Sequence, residues 1–88
     1  MNFKNNLLSF IYDKNYCICL YNNNLYIYNY KQLIDFNSNS FNILIDDKHV
    51  YIDGNNLKVS KLTDYELEIK GDILNVKIED INENKSSN

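Results

Sequence analysis

Four ten-residue segments repeat one arrangement of apolar and polar positions: residues 18–27 (ICLYNNNLYI), 34–43 (IDFNSNSFNI), 50–59 (VYIDGNNLKV) and 67–76 (LEIKGDILNV), with starts 16, 16 and 17 residues apart. Each reads apolar-x-apolar-x, two central residues, then x-apolar-x-apolar. Alternation at period two is the mark of a strand with one buried face. If the central pair forms a two-residue hairpin loop, the apolar positions meet directly across the strands. Ile18 then faces Ile27 and Leu20 faces Leu25; Ile34 faces Ile43 and Phe36 faces Phe41. By the same rule Val50 faces Val59, Ile52 faces Leu57, Leu67 faces Val76 and Ile69 faces Leu74. Gly54-Asn55 and Gly71-Asp72 suit turns that need a positive φ at the first position, and Asn22-Asn23 tolerates the same region. Between repeats, Tyr30-Lys31 and Asp46-Asp47 reverse the chain, and the longer link at residues 61–64 predicts a bulge or wider loop. The fold class expected is therefore all-β: a small antiparallel meander of about eight short strands in four hairpin repeats, closed or folded into two layers. A β-solenoid with one coil per repeat is the alternative.

The apolar positions Leu25, Ile27, Phe36, Phe41, Ile43, Val50, Ile52, Leu57, Val59, Leu67, Ile69, Leu74 and Val76 form the expected core face. The opposite face is polar in three repeats, but in the first it carries Cys17, Cys19, Tyr21, Tyr26 and Tyr28. Two readings of that face stay open. Residues 3–12, whose apolar members Phe3, Leu7, Leu8, Phe10 and Ile11 follow roughly helical spacing, could cover it, or it could meet a partner. The organisation expected is an N-terminal arm or short helix over residues 1–15, the β domain over 16–79 and a flexible polar tail over 80–88.

Composition narrows the chemistry. The 88 residues allow one small domain, and no apolar run approaches the ~18 residues of a membrane span. The net charge is −3 and all nine basic residues are lysines, dispersed along the chain. Base readout and phosphate clamping lean on arginine, so nucleic acid is not an expected partner. Cys17 and Cys19 would share a strand face ~6.5 Å apart, near the limit for a bridge, and the first nine residues show no signal-peptide pattern. Reduced thiols in the cytoplasm are expected. His49 is the single histidine; a zinc site needs more ligands than it and two cysteines in one strand supply. There is no Gly-rich phosphate loop, no Ser elbow and no acid–base pair beyond the turn residues Asp46-Asp47. The expectation is a non-enzymatic chain with no catalytic residues, no cofactor and no metal. A module without chemistry acts by contact, and contact surfaces are rich in tyrosine. The candidate partner-binding residues are Tyr21, Tyr26, Tyr28, Tyr30 and Lys31.

Residues 24–80 resemble the YabP/YqfC family of sporulation proteins of endospore-forming Firmicutes, and the YqfC type more closely. The resemblance rests on Leu25-Tyr26-Ile27-Tyr28-Asn29-Tyr30-Lys31, on Ile34-Asp35-Phe36, on residues 50–62 and on Glu66-Leu67-Glu68-Ile69-Lys70-Gly71-Asp72-Ile73. Gln32 stands where the family often has glycine. The resemblance implies a mother-cell protein needed for spore maturation, cytoplasmic or peripheral at the forespore membrane through a membrane-anchored sporulation protein as partner. It brings no catalytic residues, and it leaves self-association open. The alternative of a different class is a small β-barrel binding nucleic acid or a small ligand.

Overall fold

Alternating apolar residues build strands in all four repeats, but only the first two repeats close into hairpins. The computed structural model describes residues 15–81. Its strands are β1 (Cys17–Tyr21), β2 (Asn24–Tyr28), β3 (Gln32–Asn37), β4 (Ser40–Ile45), β5 (Lys48–Leu62) and β6 (Glu66–Asp80), in one antiparallel sheet of order β1-β2-β6-β5-β4-β3. No helix occurs among the described residues. The predicted arm over residues 1–15 and tail over 80–88 lie, apart from Asn15, Asp80 and Ile81, outside the described residues.

In the first hairpin Ile18 faces Ile27 and Leu20 faces Leu25, as expected, about an Asn22-Asn23 turn in which Asn22 takes φ 53°. In the second, Phe36 faces Phe41 and their rings stack with centroids 5.0 Å apart. The Asn37 side-chain oxygen accepts the N–H groups of Asn39 (2.7 Å) and Ser40 (3.0 Å), so an Asx turn closes the loop that Ser38-Asn39 alone would fit poorly. Ile34 does not face Ile43; a bulge puts Leu33 there instead. The Asp46-Asp47 turn sets Ile43 against Val50, with Asp46 at φ 53°.

The third and fourth repeats depart from expectation. Residues 50–59 and 67–76 each open into one long strand, and the two strands pair with each other, giving six strands rather than eight. Val50 faces Ile78, Ile52 faces Val76, Val59 faces Ile69 and Leu62 faces Leu67. At the centre Leu74 is an extra residue on β6, and Asn56 and Leu57 of β5 oppose Gly71 alone. Gly54 and Gly71 therefore occupy kinks in continuous strands and not hairpin turns. Of the two, only Gly71 has a left-handed φ, 139°. On β5 that conformation falls to Asn56, at φ 55°.

The kinks divide the sheet into halves that fold onto each other. One half is β1, β2, the start of β6 and the end of β5; the other is β3, β4, the start of β5 and the end of β6. The link between β2 and β3 joins them. It does not turn back on itself at Tyr30-Lys31, as expected, but crosses between halves. The Asn29 N–H donates to the Tyr65 carbonyl of the first, and the Lys31 N–H donates to the Leu44 carbonyl of the second at 2.8 Å. Two residues span at most about 7 Å, so the far ends of the halves meet. Each hairpin turn also bonds to the kink of the long strand that the hairpin pairs with: Gly71 N–H donates to Asn23 O (3.0 Å) and Gly54 N–H to Asn39 O (2.9 Å).

Between the layers lies one core of Leu25, Ile27, Phe41, Ile43, Ile45, Val50, Ile52, Leu57, Leu67 and Ile69. Val59 and Val76 are partly buried against it. Two expected core residues are outside it. Phe36 is 53% exposed because β3 is the last strand of the order, and Leu74 is 67% exposed because the bulge carries it out of register. The fold class is the expected all-β antiparallel sheet, in its two-layered form. Among the described residues β1 and β3 end the order and do not pair with each other, so the sheet does not close as a barrel, and the repeats need no solenoid.

Candidate interaction surface

Because Leu25, Ile27, Leu67 and Ile69 point into the core, the alternate residues of the same strands share the outer face. Cross-strand register arranges them in three rows. Cys17, Tyr28 and Glu66 form the first, Cys19, Tyr26 and Glu68 the second, and Tyr21, Asn24 and Lys70 the third. β5 adds Lys61 beside Glu68 and Lys58 beside Lys70. The face is graded: thiols at the β1 edge, tyrosines in the middle, carboxylates next, lysines at the far side.

Hydrogen bonds run along this gradient. The Tyr26 hydroxyl donates to Glu66 Oε2 at 2.6 Å, and the Tyr21 hydroxyl donates to Glu68 Oε2 at 2.6 Å. Lys61 Nζ lies 3.2 Å from Glu66 Oε1, so that carboxylate is held between a phenol and an ammonium. Both phenols resist ionisation. The bond to Glu68, then burial and the nearby negative charge push the Tyr21 hydroxyl up to about 12. Burial, then the bond to Glu66, push Tyr26 higher still. Burial, and then Cys19, also raise the Cys17 thiol, which keeps it in its less reactive protonated form. Cys17 and Cys19 are both free thiols. Asn24 Oδ1 is buried on this face with no hydrogen-bond partner among the described residues.

The five residues singled out from the sequence separate into two places. Tyr21, Tyr26 and Tyr28 come together on the outer face. Tyr26, at 5% exposed, is its buried centre, while Tyr21 and Tyr28 are half-buried. Tyr30 and Lys31 lie off this face, on the crossover. The Tyr30 ring packs against the core and its hydroxyl donates to the Thr63 carbonyl at 2.7 Å. Exposed Lys31 lines a cleft of about 240 Å³ with Asn15, Asn29, Tyr30 and Asp46. Sequence reasoning missed Asn24, Glu66, Glu68 and Lys70 as members of the face. The Glu-Leu-Glu-Ile alternation at residues 66–69 shows that the two carboxylates share a side. Only the pairing of β6 with β2 shows that it is the tyrosine side.

Among the described residues no group of three or more His, Cys, Asp or Glu is placed to hold a metal ion. No helix among them is long and apolar enough to cross a membrane. Comparison with curated proteins gives no match, and comparison with solved structures gives none either. The model of the YabP family matches residues 13–85, a span that takes in all six strands, both kinks and the crossover. A match over that much of the chain shows membership: this two-layered β protein belongs to the YabP family.

Proposed function

We propose that this chain is a non-enzymatic interaction module of sporulation, of the YqfC type. It acts in the mother-cell cytoplasm during spore maturation, docked at the forespore membrane through a membrane-anchored protein. The observation that carries the reading is the family match over residues 13–85, since YabP family membership points to a sporulation-related protein. The contact surface favoured is the outer face of β1, β2 and β6. Half-buried tyrosines flanked by charge are the composition that interfaces select.

The test is fractionation of sporulating cells of an endospore former carrying the tagged chain. The wild-type chain is expected in the membrane fraction, released only by detergent and together with one integral protein. A Tyr28→Ser, Lys70→Glu variant alters the face without touching its buried centre. It is expected to lose both while its circular dichroism is unchanged. A wild-type chain found wholly in the soluble fraction would overturn the docking; a variant that keeps its partner would move the contact surface elsewhere.

A further inference from the structure

The kink that opens the fourth repeat leaves the second half of β6 with one neighbour. β2 pairs with β6 only over residues 66–70, and beyond Gly71 the strand pairs with β5 alone among the described residues. From Asn75 to Asp80 its register with β5 is unbroken, so the free edge is straight. The other free edges are shorter or kinked. β1 has five residues, β3 carries a bulge at Ile34 beside Asp35, and the end of β5 carries one at Ser60 between Lys58 and Lys61. Bulges and charges are the usual guards of an edge.

Apolar side chains gather along this edge. Val76 and Ile78 share the core face with Ile52 and Val50, yet Ile78 is 52% exposed, and exposed Leu74 precedes them at the bulge. Ile81, just after the strand, is also exposed. Lys77 and Glu79 point to the opposite face, where they pair with each other at 3.1 Å, and Asp80, which ends the strand on the apolar side, is paired with Lys48 of β5 at 3.6 Å. Lys77 and Glu79 do not obstruct the apolar row.

We propose that this edge binds a second copy of the chain, the two β6 strands pairing antiparallel about Val76. The argument for a second copy is self-complementarity. In that register Val76 faces Val76, and Ile78 of each copy meets Leu74 of the other at the bulge, where the pairing ends short of Asp72 and Asp80. Asn75 faces Lys77 on the polar side, and the β3-β4-β5-β6 layer continues across the two-fold axis into its copy. Other registers are worse: centring on Lys77 opposes two ammonium groups, and centring on Ile78 sets Val76 against Asp80. Each step extends the apolar row already formed by Phe41, Ile52 and Val76. A single strand pair is a small interface beside the ~1,200 Å² typical of stable complexes, so a dimer forming in the range of roughly 1–100 µM is expected.

Sedimentation of the full chain across that range is expected to show a concentration-dependent shift from monomer to dimer. Ile78→Lys sets a charge on the apolar side of the edge and is expected to weaken the dimer at least about tenfold, with circular dichroism and melting unchanged. Val76→Cys, made with Cys17→Ser and Cys19→Ser, is expected to give a disulfide-linked dimer under mild oxidation. Residues paired directly across antiparallel strands lie within bridging distance. A chain still monomeric at about 200 µM would overturn the proposal. So would a dimer that Ile78→Lys leaves intact. A wild-type dimer that oxidation links through Cys19, beside a Val76→Cys variant that stays unlinked, would overturn it too and place the contact on β1.

Discussion

At Gly54 an added Cβ would lie 2.1 Å from the Asp72 carbonyl oxygen, and at Gly71 it would lie 2.6 Å from that of Asn56. Both contacts are with backbone on the neighbouring long strand, so no side-chain rotation relieves them. Glycine is required at these places because two main chains approach closely, and at Gly71 also because φ is 139°. The sequence marks both positions as special but not the reason, since Gly-Asn and Gly-Asp serve a tight turn and a bulge equally well. Gly54→Ala and Gly71→Ala are each expected to lower stability by about 2 kcal/mol or more, read as a fall in the urea midpoint. An unchanged midpoint for Gly54→Ala would mean that the strands do not approach there. The two stacked phenylalanines teach a related lesson: Phe36 and Phe41 occupy mirror positions in one repeat, yet only Phe41 has a strand on each side. Burial follows from the order of strands in the sheet, which a pattern within one hairpin does not contain.

The repeat pattern specifies strands and faces but is ambiguous about connection. Its apolar residues change parity across the central pair, from 50 and 52 to 57 and 59. A two-residue hairpin loop does this by reversing the chain; a bulge does it by inserting a residue in a strand that runs on. The first two repeats take one solution and the last two the other, where pairing two fifteen-residue strands replaces two short hairpins. That choice brings β6 beside β2 and sets Glu66 and Glu68 against Tyr26 and Tyr21. The pH dependence of the ladder follows. Tyrosine ordinarily ionises near 10, and both phenols are raised in the folded chain, Tyr21 to about 12. Above pH 10 the unfolded chain releases these protons while the folded chain keeps them. Their contribution is therefore complete below about pH 10 and is lost as pH rises through 12. The urea midpoint of the wild type is expected to fall more steeply between about pH 9 and pH 11.5 than that of Tyr21→Phe, Tyr26→Phe. At pH 7 the double variant is expected to lose about 1–2 kcal/mol. Parallel pH profiles for the two proteins would show that the ladder does not hold the phenols neutral.

The molecule has two layers but one core and two shared backbones. Leu25, Ile27, Leu67 and Ile69 come from one half and Phe41, Ile43, Val50 and Ile52 from the other, and all of them are buried in one cluster. β5 and β6 run through both halves, so neither half keeps its sheet if the other is lost. A chain of this size has a stability of only about 3–5 kcal/mol, too little to divide between independently folding parts. Unfolding is therefore expected to be a single transition in which both halves go together. Ile27→Val in β2 and Ile43→Val in β4 remove one methylene from opposite sides of the core. Each is expected to cost about 0.5–1.5 kcal/mol. The two should lower the same urea midpoint, followed by tyrosine fluorescence and by circular dichroism, with no change in the slope of the transition. Tyrosine fluorescence is weighted toward the β1–β2 half, where Tyr21, Tyr26 and Tyr28 lie, whereas circular dichroism follows the backbone of both. A fluorescence midpoint that responds to Ile27→Val but not to Ile43→Val would show that the halves unfold separately. The shared core would then be two cores in contact. Coincident midpoints in both variants would show that the crossover and the two kinked strands make one cooperative unit of the four repeats.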